Sequence, residues 1–214
     1  DDYEKVLINA FSAINYLMLN QQDDALVEAR RLNEKLYKYK YEAKKDYEQN
    51  VFARYLSALI WEGDHKWDDA YIDYEKSWEI SPGFSYLKKD LIRAAMVAQR
   101  PDKVAFWKKK FPDVQIQPEW KDKNRGEVVF ICQQGWGPRK YPRPESPRFP
   151  KLYPVPSRTR FAKVIVREKA TGSKITEIAT EVLYSVQNVA IKTLEDDYGA
   201  LVAKRVAGIA TKAV

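Results

Sequence analysis

Cysteine occurs once in this 214-residue chain, at Cys132, and histidine once, at His65. One thiol excludes an internal disulfide and any multi-cysteine metal site. One imidazole excludes a histidine metal cluster and gives no support to a His-paired serine or cysteine nucleophile. Cys132 closes the apolar run Val128-Val129-Phe130-Ile131-Cys132 and is expected as a small buried hydrophobe on a strand. His65, in Gly63-Asp64-His65-Lys66, is expected as a solvated turn residue. No apolar run approaches the roughly 18 residues that span a bilayer. Asp1-Asp2-Tyr3-Glu4 lacks the positive charge and apolar stretch that open a signal peptide, and a start almost inside a helical segment reads as a processed or trimmed form. Gln133-Gln134-Gly135-Trp136-Gly137-Pro138 lacks the lysine and following helix of a phosphate-binding loop. It reads as a strand-ending turn that presents Trp136 as a contact residue.

What is present describes a folded chain: 45% hydrophobic and 31% charged residues argue against wholesale disorder. The net charge of +7 is unevenly placed. Residues 1–112 carry 19 basic and 19 acidic side chains, whereas Lys121 to Lys174 carries 14 against 4. The excess is local, and reads as a solvated loop ordered by proline or as a stretch that attracts an acidic protein or an anionic envelope polymer.

Gln22-Asp23-Asp24-Ala25-Leu26 returns as Trp67-Asp68-Asp69-Ala70-Tyr71, each copy lying between two helix-length segments. Val6–Leu19 and Leu26–Tyr37 flank the first, Phe52–Glu62 and Tyr71–Ile80 the second. Pro82-Gly83 stops propagation, because proline lacks the amide and clashes with the preceding turn. A weaker third unit pairs Tyr86–Ala98 with Lys103–Phe111, and its Lys108-Lys109-Lys110 face is polar, as a terminal unit requires. The paired carboxylates Asp23-Asp24, Asp68-Asp69 and Asp196-Asp197 are read as caps or dipole partners of helix starts rather than as catalytic acids.

These units resemble the tetratricopeptide family, which repeats about every 34 residues with small residues where two helices cross. Ala13 and Ala58 fall at the close-approach site, Tyr16 and Trp61 at the next aromatic position, and Ala25 and Ala70 at the opening of the second helix. Pro82 matches the family's closing proline, where the first unit has Tyr37. The copies lie 45 residues apart because Lys38–Gln49 is inserted; its helix formers are expected to lengthen a helix. Val6 to Leu19 places apolar groups on nearly every face, so Phe11, Ile14 and Leu17 are all expected to be covered, by further repeats, the C-terminal half or a partner.

The other half is organised differently. Gly126–Cys132, Phe161–Arg167 and Lys174–Ala179 read as strands. Seven of the eleven prolines fall between Pro138 and Pro156, interleaved with Arg139, Lys140, Arg143, Arg148 and Lys151, which excludes regular helix or a central strand there. From Val186 the chain turns helical, with Gly199 and Gly208 weakening the helix or breaking it. The expectation is an α+β protein with helical repeats over 2–112, and a small sheet, basic loop and C-terminal helix over 113–214.

The chain is also similar to a family of bacterial envelope lipoproteins with N-terminal helical repeats and no assigned reaction. The resemblance rests on Ala10–Asn33, the second unit through Trp67–Tyr71, Gly126-Glu127-Val128-Val129 before Gly135–Pro138, and Ala203-Lys204-Arg205-Val206-Ala207. It implies export on a lipidated N-terminal cysteine, absent from this chain, and a periplasmic or outer-membrane-anchored location. The function expected is a non-enzymatic protein-binding or scaffolding module, without cofactor or metal, acting on another envelope protein of acidic character. Phe52, Tyr55, Leu59 and Glu62 would line the repeat groove, and Trp136, Arg139, Lys140, Arg143 and Arg148 a recognition arm. The alternatives are a hydrolase-like enzyme with a cleft between repeats and sheet, and a polyanion or nucleic-acid binder using the basic loop and its aromatic residues. Nucleic acid is disfavoured by the envelope resemblance.

Overall fold

The computed structural model describes residues 2–42, 49–122, 127–142 and 151–210. It is α+β, and it divides into two compact units, Asp2–Phe130 with Glu181–Tyr184, and Ile131–Thr180 with Ser185–Val214. The first unit thus runs past Pro112, where the sequence suggests a boundary.

The first unit is a run of helices: α1 Asp2–Met18, α2 Gln22–Tyr37, α3 Val51–Gly63, α4 Trp67–Ile80, α5 Tyr86–Val97 and α6 Pro101–Lys110. Each packs on its neighbour in the chain. The turn joining each pair is the same. Asn20, His65 and Gln99 adopt left-handed backbone, with φ of 58°, 58° and 55°. The following amide reaches back across it, from Gln21 to the Tyr16 carbonyl, Lys66 to Trp61 and Arg100 to Ala95, each at 2.9 Å. This is the helix-ending geometry that satisfies the carbonyls of the last turn. Its recurrence makes α1–α2, α3–α4 and α5–α6 equivalent units.

Side-chain size explains how closely they pack. Ala13, Ala25, Ala58 and Ala70 are wholly buried, letting backbones approach, while Leu32, Leu36, Tyr71, Tyr74, Leu87, Leu91 and Ile92 fill between. Each fully buried aliphatic side chain contributes about 1.5–3 kcal/mol. Val114, Trp120 and Leu183 pack on this core from outside α1–α6.

Several expectations require correction. Asp23, Asp24, Asp68 and Asp69 occupy first turns, but neither α2 nor α4 has a side-chain cap, so at these helix starts they act through the dipole and not as caps. A side-chain cap is found on α3, where Asn50 accepts the Ala53 amide at 2.9 Å. Asp196-Asp197 lies inside the C-terminal helix α7, Val186–Ala210, not at a helix start. The insertion continues α2 as a π-helical turn over Lys38–Glu42; residues 43–48 lie outside the described residues. The covering expected of α1 is incomplete among the described residues: Phe11 is exposed, while Ile14 and Leu17 are half-buried against the core.

The second unit contains two separate antiparallel hairpins rather than one small sheet. Strand β1 (Arg139–Tyr141) pairs with β2 (Lys151–Tyr153), in register Lys140 to Leu152. Both are edge strands, which is where a proline-rich stretch tolerates pairing. Strand β3 (Lys163–Arg167) pairs with β4 (Lys174–Ala179) around Gly172, whose φ is 69°. The predicted strand over Gly126–Cys132 does not form over 127–132, and Cys132 is exposed, not buried. Its β-formers meet no ladder, and without one a propensity has nothing to stabilise. Helix α7 (Val186–Ala210) runs unbroken through Gly199 and Gly208. It touches β2 through Lys151–Glu195 (3.6 Å), and the Val155 amide donates to Gln187 at 2.7 Å.

Candidate functional site

Of the four groove residues named from sequence, two are engaged internally. The Tyr55 ring lies 5.5 Å from Tyr74 and 5.4 Å from Phe84, and its hydroxyl donates to Asp90 at 2.6 Å. Glu62 accepts from the Tyr74 hydroxyl at 2.7 Å and from both terminal nitrogens of Arg93. Phe52 and Leu59 are half-buried and packed on the core.

Two buried polar clusters tie the helices together. In one, Asp73 of α4 accepts from Asn33 of α2 (2.6 Å), and from Arg54 (3.0 Å), Ser57 (2.7 Å) and Trp61 (3.1 Å) of α3. In the other, Arg93 of α5 is shared by Glu62, Asp90 and Glu127. One guanidinium among three carboxylates leaves surplus negative charge. Burial first, and then the Glu127 charge, push the Asp90 carboxyl up to about 7 against the opposing hydrogen bond from Tyr55. Burial raises the Tyr55 and Tyr74 phenols as well. The acids and donors of this set bind one another, which makes it a framework for helix placement.

The accessible features lie elsewhere. On α1 the buried stripe Tyr3, Val6, Ala10 and Ala13 backs a face on which Ile8 is 63% exposed, Phe11 37% and Met18 80%. Leu19, just beyond the helix, is 68% exposed. In the second unit Trp136 is 72% exposed, following Gly135 at φ 88°. Arg139 and Lys140 are exposed on β1, next to Tyr141, whose ring sits 5.9 Å from that of Tyr153 across the hairpin. Arg143 and Arg148 lie outside the described residues. Among the described residues no cluster of acids, cysteine and histidine could hold a metal ion, and no helix is long and apolar enough to cross a membrane.

Sequence reasoning missed the outward face of α1 as an exposed surface, although its apolar residues were the signal. It also passed over an aromatic cleft between α4 and α6, since Trp78, Phe106 and Trp107 are spread over two helices. The fold and these surfaces define an α+β chain built on paired helices, with two exposed regions suited to contact. Comparison with protein-family models, curated proteins and solved structures finds no match to this chain.

Proposed function

We propose that this chain is a non-enzymatic binding or scaffolding module built on tetratricopeptide-like hairpins. The repeat reading is supported by the three identical turns, the last two of them 34 residues apart at His65 and Gln99, and by the wholly buried alanines of the first two units. The observation that carries the function is the outward apolar face of α1, Ile8, Phe11 and Met18, backed by an ordered core. An apolar face of this kind on a packed helix is stabilised by docking another surface. The groove of the second unit is a weaker candidate, because Tyr55 and Glu62 already have partners within the helix stack. The basic hairpin with Trp136 supplies a second contact region for an acidic partner. A periplasmic, lipid-anchored setting and an envelope protein as partner rest on the sequence resemblance. The hydrolase-like alternative needs converging polar groups open to substrate; the clusters around Asp73 and Asp90 are instead engaged with partners inside the helical unit.

The reading is tested by exchanging Phe11 and Met18 for glutamate and comparing affinity capture from the envelope with the wild-type chain. Loss of a specific captured protein, with unchanged circular dichroism, is the expected result. An identical set of captured proteins would refute α1 as the docking face.

A further inference from the structure

A cleft of about 680 Å³ lies between α4 and α6, lined by Trp78, Phe106 and Trp107 with three carboxylates, Glu75, Glu79 and Asp102. The Lys110 ammonium stands over all three rings, 5.2 Å from Trp78, 5.8 Å from Phe106 and 5.3 Å from Trp107. The box is held rigidly. Trp107 is 3% exposed, donates its indole N–H to the Tyr71 hydroxyl at 3.0 Å, and stacks on Phe111 at 5.6 Å. Trp78 meets both Trp107 and Phe111 edge-on. Walls fixed in this way do not need to be ordered on binding, which favours a ligand that fits them.

The charges define that ligand. Glu75 is neutralised by Lys103 at 2.7 Å, while Glu79 and Asp102 make no ion pair among the described residues. Lys110 is exposed and makes no ion pair among the described residues, so only the ring contacts hold its ammonium in the cleft. Were it to swing out, the cleft would keep the accessible parts of Trp78 and Phe106 over the buried Trp107 ring, and an excess of two negative charges. Aromatic faces attract cations through the ring quadrupole, most strongly when the cation sheds little water on entering. A primary ammonium is strongly hydrated; a quaternary ammonium is not, so it can displace the tethered lysine.

We infer that the Trp78–Phe106–Trp107 box is a binding site for a quaternary ammonium head group, with Lys110 as its resident internal cation. The site is separate from the α1 face and does not depend on the function proposed above. Calorimetric titration with choline at constant ionic strength tests it, against the uncharged alcohol in which carbon replaces the nitrogen. The wild-type chain should bind choline saturably and ignore the alcohol. Lys110→Ala should bind choline tighter by about fivefold, and Phe106→Ala weaker by at least that factor. Phe106 is 53% exposed, so its truncation should leave the melting temperature nearly unchanged. Sedimentation with phosphatidylcholine vesicles assigns the source: co-sedimentation abolished by Phe106→Ala places the head group on a lipid, and its absence beside positive calorimetry places it on a free solute. No saturable binding to wild type and Lys110→Ala, equal binding of the alcohol, or weaker binding by Lys110→Ala would each overturn the inference.

Discussion

Asp73 and Asp90 are buried carboxylates of the same helical unit with unlike surroundings. Asp73 accepts from Asn33, Arg54, Ser57 and Trp61, whereas Asp90 accepts from Tyr55 and a guanidinium it shares with two other acids. Asp73→Ala would leave Arg54, 6% exposed, without its carboxylate, a change expected to cost about 3–5 kcal/mol in urea unfolding. Breaking the exposed Asp68–Arg100 pair (2.7 Å) by Asp68→Ala should cost under about 1 kcal/mol, so the contrast separates a burial effect from a loss of charge. Asp90 answers to pH. Its folded pKa, about 7, lies above its ordinary value of 3.8, so the folded chain binds the extra proton. The associated stability is fully present below the ordinary carboxylate range and is lost as pH rises to about 7. Asp90→Asn should therefore flatten the decline of melting temperature across that window; a slope identical to wild type would show that Asp90 titrates normally. Asp90 and Arg93 are an i,i+3 pair that the sequence could have shown, but Tyr55 and Glu62 reach them from α3 and the donors of Asp73 come from α2 and α3, which no short-range spacing reveals. The small residues were legible, since Ala58 and Ala70 recur at matching places in a duplicated segment.

Helices were readable at the scale of elements and strands only in part, for a physical reason. A helix satisfies its own backbone, so apolar periodicity and stop signals such as Pro82-Gly83 nearly suffice to place it. The boundaries of α3 and α4 fall within a few residues of expectation. A strand needs a neighbour. Lys163–Arg167 and Lys174–Ala179 have one across a short turn; Val128–Cys132, with stronger β-formers, pairs with no strand among the described residues and stays irregular and exposed. The three helix-pair turns show what sequence leaves hidden: Asn20, His65 and Gln99 all adopt positive φ, yet no single residue type marks the position. Left-handed backbone costs an ordinary L-residue about 1–2 kcal/mol. Gln99→Gly should relieve part of this, raising stability by up to about 1 kcal/mol after the larger entropy of the unfolded glycine is counted. Gln99→Val should act in the opposite direction, because a β-branched side chain is strained there. Thermal unfolding of the two variants gives the sign directly, and destabilisation by glycine would show that the turn gains more from the glutamine side chain than from backbone relief.

The whole molecule is electrostatically divided. Residues 1–112 balance to zero, while Lys121 to Lys174 carries an excess of ten positive charges. Buried ion pairs do structural work within the helical unit, but the described basic residues of β1 are exposed and make no ion pair among the described residues. Charge placed in this way governs encounter more than residence: it speeds association with an acidic surface and is screened beyond about 10 Å at 0.1 M salt. Prolines across 138–156 restrict the unfolded chain as well, so ordering the arm against a partner costs less entropy. Replacing Arg139 and Lys140 by serine should slow capture of an acidic partner at low ionic strength, converge on wild type as salt is raised, and leave the melting temperature within a degree or so. Retention on a heparin column distinguishes polyanion binding by chemistry: steep loss of retention with salt in the wild type, reduced in the variant, follows from counterion release by these two residues. If capture and retention are the same for both proteins at every ionic strength, the charge on β1 is only a solvated surface. A fall in melting temperature would instead assign Arg139 and Lys140 to holding the β1–β2 hairpin, where Arg139 faces Tyr153 and Lys140 faces Leu152. The arm and the α1 face can be separated in the same way: glutamate at Phe11 should lower capture at all salt concentrations, since the loss of an apolar contact is not screened.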